Sequence, residues 1–277
     1  MGNIAIHPTA VVHPNAKIAA GVAIGPYTVV EEHVILEKDS VIGSHCVITG
    51  RTTIGRNARV FTGAVIGSIP QDKKFNPKDP VTLEIGADNV IREYVTINPG
   101  TLEGGGRTVI GDGNLLMAYC HVAHDCRIGH KCIMANAATL GGHVELENNV
   151  TIGGFSAVHQ YTRLGRLCIV GGCSKVVQDV PPFSMCDGHP ARVHGLNSVG
   201  LKRAGFSSEA LLELKRAFKT LFHSGLSRGH ALAQLAKSQP LITEVRQLVD
   251  FIQASKRGVC GGERVLRLKA EGASFEG

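Results

Sequence analysis

His121, His124 and His143, with Asp125 directly after His124, are the residues of this chain whose types and spacing suit chemistry best. An imidazole beside a carboxylate makes a general base. The carboxylate orients the ring and stabilises its protonated form, and the other ring nitrogen takes up a proton near neutral pH. Read as His121-x-x-His124 plus His143, the same histidines could instead hold zinc. Other polar residues recur in step with them. Asp125, His143 and Tyr161 follow one another at an interval of eighteen residues, as do His124, Gly142 and Gln160. Neither a helix nor an ordinary strand has that period, so the elements that carry these residues must be found first.

An aliphatic residue recurs at every sixth position. From Ile6 the series runs Val12, Ile18, Ile24, Val30, Leu36, Ile42, Ile48, Ile54, Val60 and Ile66. It slips, resumes as Ile85, Ile91 and Ile97, and slips again. It then runs from Ile110 through Leu116, Val122, Ile128, Met134, Leu140, Leu146, Ile152, Val158, Leu164 and Val170 to Val176. The residue two places earlier is small or modestly apolar, as at Thr28, Ala58, Ala138 and Ser156. A short strand with two inward positions and a tight turn reproduces this pattern. Three such hexapeptides close a triangular coil, and coils stack at the parallel-strand spacing of about 4.8 Å. A sandwich of alternating strands would not keep phase over such a length. Cys46, Cys120, Cys126, Cys132 and Cys168 all take the small inward position, so they read as buried, reduced thiols rather than zinc ligands or disulfides.

With the faces labelled A, B and C and Val122 placed on A, Ile66 and Ile97 also fall on A. Both slips therefore occur at the corner between A and B, where segments 67–84 and 98–108 are inserted. Insertions in a solenoid tend to loop out on the functional edge. In the later coils the same corner carries Ala123-His124-Asp125, Gly141-Gly142-His143 and His159-Gln160-Tyr161, with His121 just before it. His7, His13, His33 and His45 read instead as surface histidines, since turns tolerate polar residues. A metal-dependent hydratase of the γ-carbonic-anhydrase kind is the competing reading of the cluster.

Composition narrows the setting. The net charge of +6 fits an acidic substrate or partner, but Lys and Arg are scattered without aromatic interleaving, so nucleic acid is not expected. No apolar run is long enough to span a membrane and the N-terminus lacks a secretory pattern, so a cytoplasmic location is expected. Pro181-Pro182 are expected to end the solenoid, since proline offers no ladder N–H. From Ser207, a capping residue, the pattern turns helical, with Leu211, Leu214, Phe218, Leu221 and Phe222 on one face before Gly225. Two more helices are expected at 228–238 and 243–256, followed by a frayed tail at 257–277. The division is thus 1–183 for the solenoid and 184–277 for a linker and helical domain.

Several segments carry a specific resemblance: QDKKF (71–75), IREYVTI (91–97), AHDC (123–126), GGHV (141–144), AVHQY (157–161), VGGCSKVVQDVPPF (170–183) and GLNSVGLKRAGF (195–206). Over about residues 4–256 the chain resembles the acyl-[acyl-carrier-protein]–UDP-N-acetylglucosamine O-acyltransferases, which open lipid A synthesis. The related N-acyltransferases carry a domain before their solenoid, whereas here the repeat begins at once. The resemblance implies a mainly β fold, a left-handed parallel β-helix of hexapeptide repeats with a C-terminal α-helical domain. It also implies a homotrimer with sites between subunits, acyl carrier protein and UDP-N-acetylglucosamine as substrates, and no cofactor or metal.

Carried onto this sequence, the resemblance makes His124 the general base for the sugar 3-hydroxyl as that oxygen attacks a 3-hydroxyacyl thioester. Asp125 orients His124, and the Gly142 N–H is the oxyanion donor. His121 and His143 become sugar contacts, and Gln71, Asp72 and Lys74 substrate contacts on the long loop. His159, Gln160, Asn197 and Arg203 fall on the nucleotide side, and Gly172 at the position that limits acyl length, where a bare glycine favours a longer chain. The sequence departs from the family pattern at Asn98-Pro99, where His-Arg is usual, at Ser198 and Val199, where an acid is expected, and at Ala204, where a second Arg is common. The C-terminal helices are expected to pack on the solenoid and help bind carrier protein.

Overall fold

The computed structural model describes residues 3–237 and 240–262. Short strands, of two residues except for the four-residue Arg51–Ile54, Thr82–Ile85 and Arg107–Ile110, repeat with a six-residue period from Ala5–Ile6 to Lys175–Val176, broken in phase only at the two insertions. They form three parallel ladders. Face A holds nine strands, face B eight and face C eleven, counting two added by the C-terminal part. Register is uniform: Ile66 pairs with Ile97, Ile97 with Val122, and Val122 with Leu140. Both inserted segments leave face A and return to face B, at Thr82–Ile85 and Arg107–Ile110. The chain is a left-handed parallel β-helix with C-terminal helices.

Inward aliphatics fill the triangle. Ile48, Ile66, Ile97, Val122, Leu140 and Val176 are all fully buried. The small inward position proves to be a hydrogen-bonding position as well. The thiols of Cys46, Cys120, Cys126 and Cys132 donate to the carbonyls of Phe61, Ala135, Gly141 and Glu147 at 3.1–3.2 Å. The hydroxyls of Thr28 and Ser156 do the same to Gly43 and Gly171 at 2.7 and 2.8 Å. A cysteine here fills the space of an alanine and also gives a turn carbonyl its partner. These thiols are free and buried.

Most corners turn on a residue in the left-handed region, including Asp125 at φ 60°, His143 at 60° and Tyr161 at 62°. That conformation costs a non-glycine residue free energy. An inter-coil bond offsets it: the N–H of His143 donates to His124 O, and that of Tyr161 to Gly142 O, both at 3.0 Å.

The ladder does not stop at Pro181-Pro182. Ser184–Gly188 adds a parallel strand to Ile169–Val170 and then turns antiparallel into Ala191–Leu196, a hairpin that the six-residue period does not signal. Four helices follow: α1 (Ser198–Arg203), α2 (Ser208–Phe222), α3 (Arg228–Lys237) and α4 (Thr243–Ala254). The α2 cap is Ser207, whose side chain accepts from Ala210 N–H, and its buried face holds Leu211, Leu214, Phe218 and Leu221. Residue 238, expected in the second helix, lies outside the described residues. The helical part seats on the last coils, with Arg163 over the Phe251 ring at 4.7 Å and the Ser255 hydroxyl on Asp179 at 2.7 Å. Of the tail expected to fray, 263–277 lies outside the described residues, but 257–262 packs against the solenoid with Val259 and Cys260 buried.

Ile97 is fully buried between Ile66 and Val122. Ile97→Ala is expected to destabilise the protein by about 2–5 kcal/mol, read as a lower urea midpoint with an unchanged far-ultraviolet spectrum at low denaturant.

Candidate active site

Stacking brings His121, His124, Asp125, Gly142 and His143 to one corner, under both insertions. His124 Nδ1 lies 2.7 Å from Asp125 Oδ2, and His143 Nε2 lies 3.7 Å from the same oxygen. Successive residues of an extended strand point to opposite sides. The left-handed turn at Asp125 cancels that alternation and folds its carboxylate back onto its neighbour's ring. With the carboxylate accepting, Nδ1 carries the proton, and the neutral ring keeps its lone pair on Nε2.

Asp125 is almost fully buried and held from every side. Thr101 N–H donates to Oδ1 at 2.8 Å and the Thr101 hydroxyl to Oδ2 at 2.7 Å. Its own N–H donates to Thr108 Oγ1 at 2.8 Å. Gly104 approaches so closely that a Cβ there would stand 2.0 Å from the carboxyl carbon. Burial works against the carboxylate, but the hydrogen bonds from His124 and Thr101 outweigh it, and Asp125 titrates below its usual range.

His143 stacks on Tyr161 with ring centroids 4.2 Å apart and meets His124 edge-on at 5.1 Å. Burial lowers its pKa, and the carboxylate of Asp125 compensates only in part. His121 is lowered by burial and then by the charge of His124, and its Nδ1 sits 2.7 Å from Thr96 Oγ1. Gly142 faces the His124 ring: a Cβ there would come within 2.6 Å of Cε1. Its N–H has no partner among the described residues.

His124, Asp125 and His143 form a group whose ligand atoms lie within 4.8 Å of one another, and His121 is not part of it. A cation there would have to displace bonds that Asp125 already accepts from Thr101 and His124, so this donor set fits a proton-transfer pair better than a metal centre. Covalent catalysis by the neighbouring thiols is disfavoured too. Burial pushes Cys120 up to about 11 and Cys126 up to about 12, leaving no useful thiolate near neutral pH.

Of the other expected residues, Gln71, Asp72 and Lys74 lie on the long loop, where Asp72 and Lys74 border a cleft of about 320 Å³ against Thr101–Glu103 of the shorter one. Asp72 adds a raising influence at His143. His159 and Gln160 occupy the same corner one coil beyond Gly142 and are exposed. Asn197 and Arg203 do not join them. Asn197 caps α1 at the corner between B and C, its amide spent on Gly200 N–H and Leu167 O, both at 3.0 Å. Arg203 is exposed at the end of that helix. Gly172 stands at the third corner, with space for a Cβ whose nearest contact, Gly154 O, would be at 3.4 Å.

The chain resembles known proteins along nearly its whole length. Residues 179–260 match a family model described as UDP N-acetylglucosamine O-acyltransferase, domain 2, and residues 107–142 match one for bacterial transferase hexapeptides. An acyl-[acyl-carrier-protein]–UDP-N-acetylglucosamine O-acyltransferase of Thermodesulfovibrio yellowstonii is 48% identical over 255 residues, covering 92% of this chain and 98% of that protein. One from Thiobacillus denitrificans is 48% identical over 254 residues, with the same shares covered. This chain belongs to the acyl-[acyl-carrier-protein]–UDP-N-acetylglucosamine O-acyltransferase family. The solved UDP-N-acetylglucosamine acyltransferase from Campylobacter jejuni superposes with a TM-score of 0.87 at 39% identity, covering 93% of this chain and 100% of that one.

Within that acyltransferase family frame, one departure has a local explanation. Asn98, where the family usually has His, is buried and donates to Ser68 O at 2.9 Å and Ile69 O at 3.2 Å, tying the two loops at their base. The residues that hold His121 (Thr96) and the His124–Asp125 dyad (Thr101, Gly104 and Thr108) escaped the sequence reading. Thr96 was accessible in principle, since it pairs in register with His121. Thr101 and Gly104 were not, because an inserted loop has no phase.

Thr101→Val removes the hydroxyl from Asp125 Oδ2 and should destabilise the protein by about 1–2 kcal/mol at pH 7. Asp125 titrates lower in the folded protein than its unfolded value of about 3.9, so the stability it contributes is present above that pH and is lost as pH falls through the folded value. The deficit of the variant, followed by urea denaturation from pH 7 downwards, should therefore narrow as Asp125 protonates.

Proposed function

We propose that this chain transfers a 3-hydroxyacyl group from acyl carrier protein to the 3-hydroxyl of UDP-N-acetylglucosamine, the first step of lipid A synthesis, with His124 as general base. The observation that carries this reading is the 2.7 Å bond from His124 Nδ1 to a clamped Asp125, which leaves Nε2 as the free base. Nε2 takes the proton from the sugar hydroxyl as its oxygen bonds to the thioester carbon. The oxygen of the resulting tetrahedral adduct accepts from Gly142 N–H beside the ring. Collapse breaks the carbon–sulfur bond, and the proton on Nε2 passes to the departing thiolate, releasing the carrier's free thiol. Asp125 stabilises the imidazolium in between. His121 and His143, both held toward the neutral form, serve as sugar contacts, and Gln71, Asp72 and Lys74 close over the substrate.

Nucleotide contacts from His159, Gln160, Asn197 and Arg203, and an acyl path past Gly172, belong to the same reading. Within one chain these residues stand at three different corners, which supports a homotrimer whose sites form between subunits. Sedimentation equilibrium should then return three times the chain mass of 29.3 kDa. A bare Gly172 favours a longer acyl chain. A cytoplasmic setting, where acyl carrier protein is loaded, completes the proposal.

Incubation with 3-hydroxyacyl carrier protein and UDP-N-acetylglucosamine should yield the 3-O-acylated nucleotide sugar, and His124→Ala should lose about a thousandfold in kcat. Absence of product from the wild type, or full activity in the variant, would overturn the reading. Gly142→Ala should cost about a hundredfold in kcat by displacing the ring, with little change in thermal midpoint.

A further inference from the structure

The segment after α4 reaches the candidate site. Its backbone is fastened to the end of the solenoid: Asp179 N–H donates to Gly258 O at 3.0 Å, and Cys260 N–H to Asp179 O at 2.8 Å. The Arg228 guanidinium adds a bond to Val259 O at 3.0 Å. This anchoring directs Arg257 across the last coils, where its Nη2 lies 3.2 Å from His159 Nδ1 and 3.4 Å from Val177 O. The same side chain lines a groove of about 520 Å³ that Asp125, His143 and Tyr161 also line. Arg257 is exposed, and no carboxylate pairs with it among the described residues. The acids of that groove are engaged elsewhere. Asp179 accepts from Arg163 N–H and the Ser255 hydroxyl, Glu145 pairs with Arg163, and Asp125 is clamped by Thr101.

Building on the acyltransferase reading, we propose that Arg257 binds the diphosphate of the nucleotide sugar and sets the tautomer of His159 beside it. An arginine side chain only donates, so with Arg257 in place His159 Nδ1 accepts, and the neutral ring carries its proton on Nε2. That proton is turned away from Arg257 and is available to a phosphate oxygen. The competing partner is the Gln160 carbonyl, 3.0 Å from the same Nδ1. Without the guanidinium, Nδ1–H donates to that carbonyl and Nε2 becomes an acceptor, which repels a phosphate. Arg257 therefore contributes its own charge and also the polarity of its neighbour. The phosphodiester of the carrier's thiol arm has the same chemistry, but His159 ties this cation to the nucleotide side.

The test is steady-state kinetics of Arg257→Gln and Arg257→Lys with each substrate varied in turn, together with nitrogen-15 spectra of His159 in the free protein. Arg257→Gln is expected to raise KM for UDP-N-acetylglucosamine about tenfold, with kcat and the donor KM within about twofold of wild type. Its His159 proton should move from Nε2 to Nδ1, and Arg257→Lys should recover part of the affinity. Three results would overturn the proposal: an unchanged nucleotide KM, a rise confined to the donor KM, which would assign the cation to the carrier arm, or a joint fall in kcat and thermal midpoint. If the wild type itself makes no acylated nucleotide sugar, the acyltransferase reading fails, and the His159 tautomer still decides whether Arg257 controls that ring.

Discussion

The structure depends on one repeated bargain at its corners. A non-glycine residue enters the left-handed region, at a free-energy cost, and its N–H reaches a carbonyl, or at Asp125 a threonine hydroxyl, in the preceding coil. The bond forms only if coils sit in strict register, so the inward aliphatics are compelled to stack like on like. The buried thiols of Cys120 and Cys126 and the hydroxyl of Ser156 obey the same demand, since each finds a turn carbonyl of the next coil. Hydrophobic burial gives the solenoid its stability, while the corner bonds give it its phase.

The candidate dyad is a by-product of that corner geometry. Its two residues are consecutive, and the turn that any coil would make folds Asp125 onto His124. What distinguishes this coil is its surroundings. The shorter inserted loop presents Thr101 and Gly104 to a carboxylate that would otherwise be a buried charge without enough partners. Loops inserted between strands leave both ladders intact, which explains how one corner can carry two insertions without loss of register.

Much of this was legible in the sequence because a stacked repeat converts sequence interval into spatial adjacency. The ladders, the inward cysteines, the corner that hosts both loops and the contact of Gly142 with His124 all follow from keeping count in sixes. The clamp on Asp125 was not legible, since Thr101 and Gly104 lie where the count is suspended. The hairpin at Ser184–Leu196 and the packed strap at 257–262 were missed for a related reason: each is held by contacts with a solenoid end whose shape the period does not describe. Arg257 read as part of a frayed tail because nothing local orders it. Its partners, His159 and Val177, are far back along the chain.

The uniform register also makes the corner between faces A and B a graduated edge. His124, Gly142 and Gln160 mark successive coils along it, each one parallel-strand spacing of about 4.8 Å from the next. A long substrate laid along that edge meets residues in the order in which the ribosome added them. Distance along the ligand is thus written in units of eighteen residues, and adding or removing a whole coil would change the reach of the edge by one graduation while leaving every inward contact of the remaining coils in place.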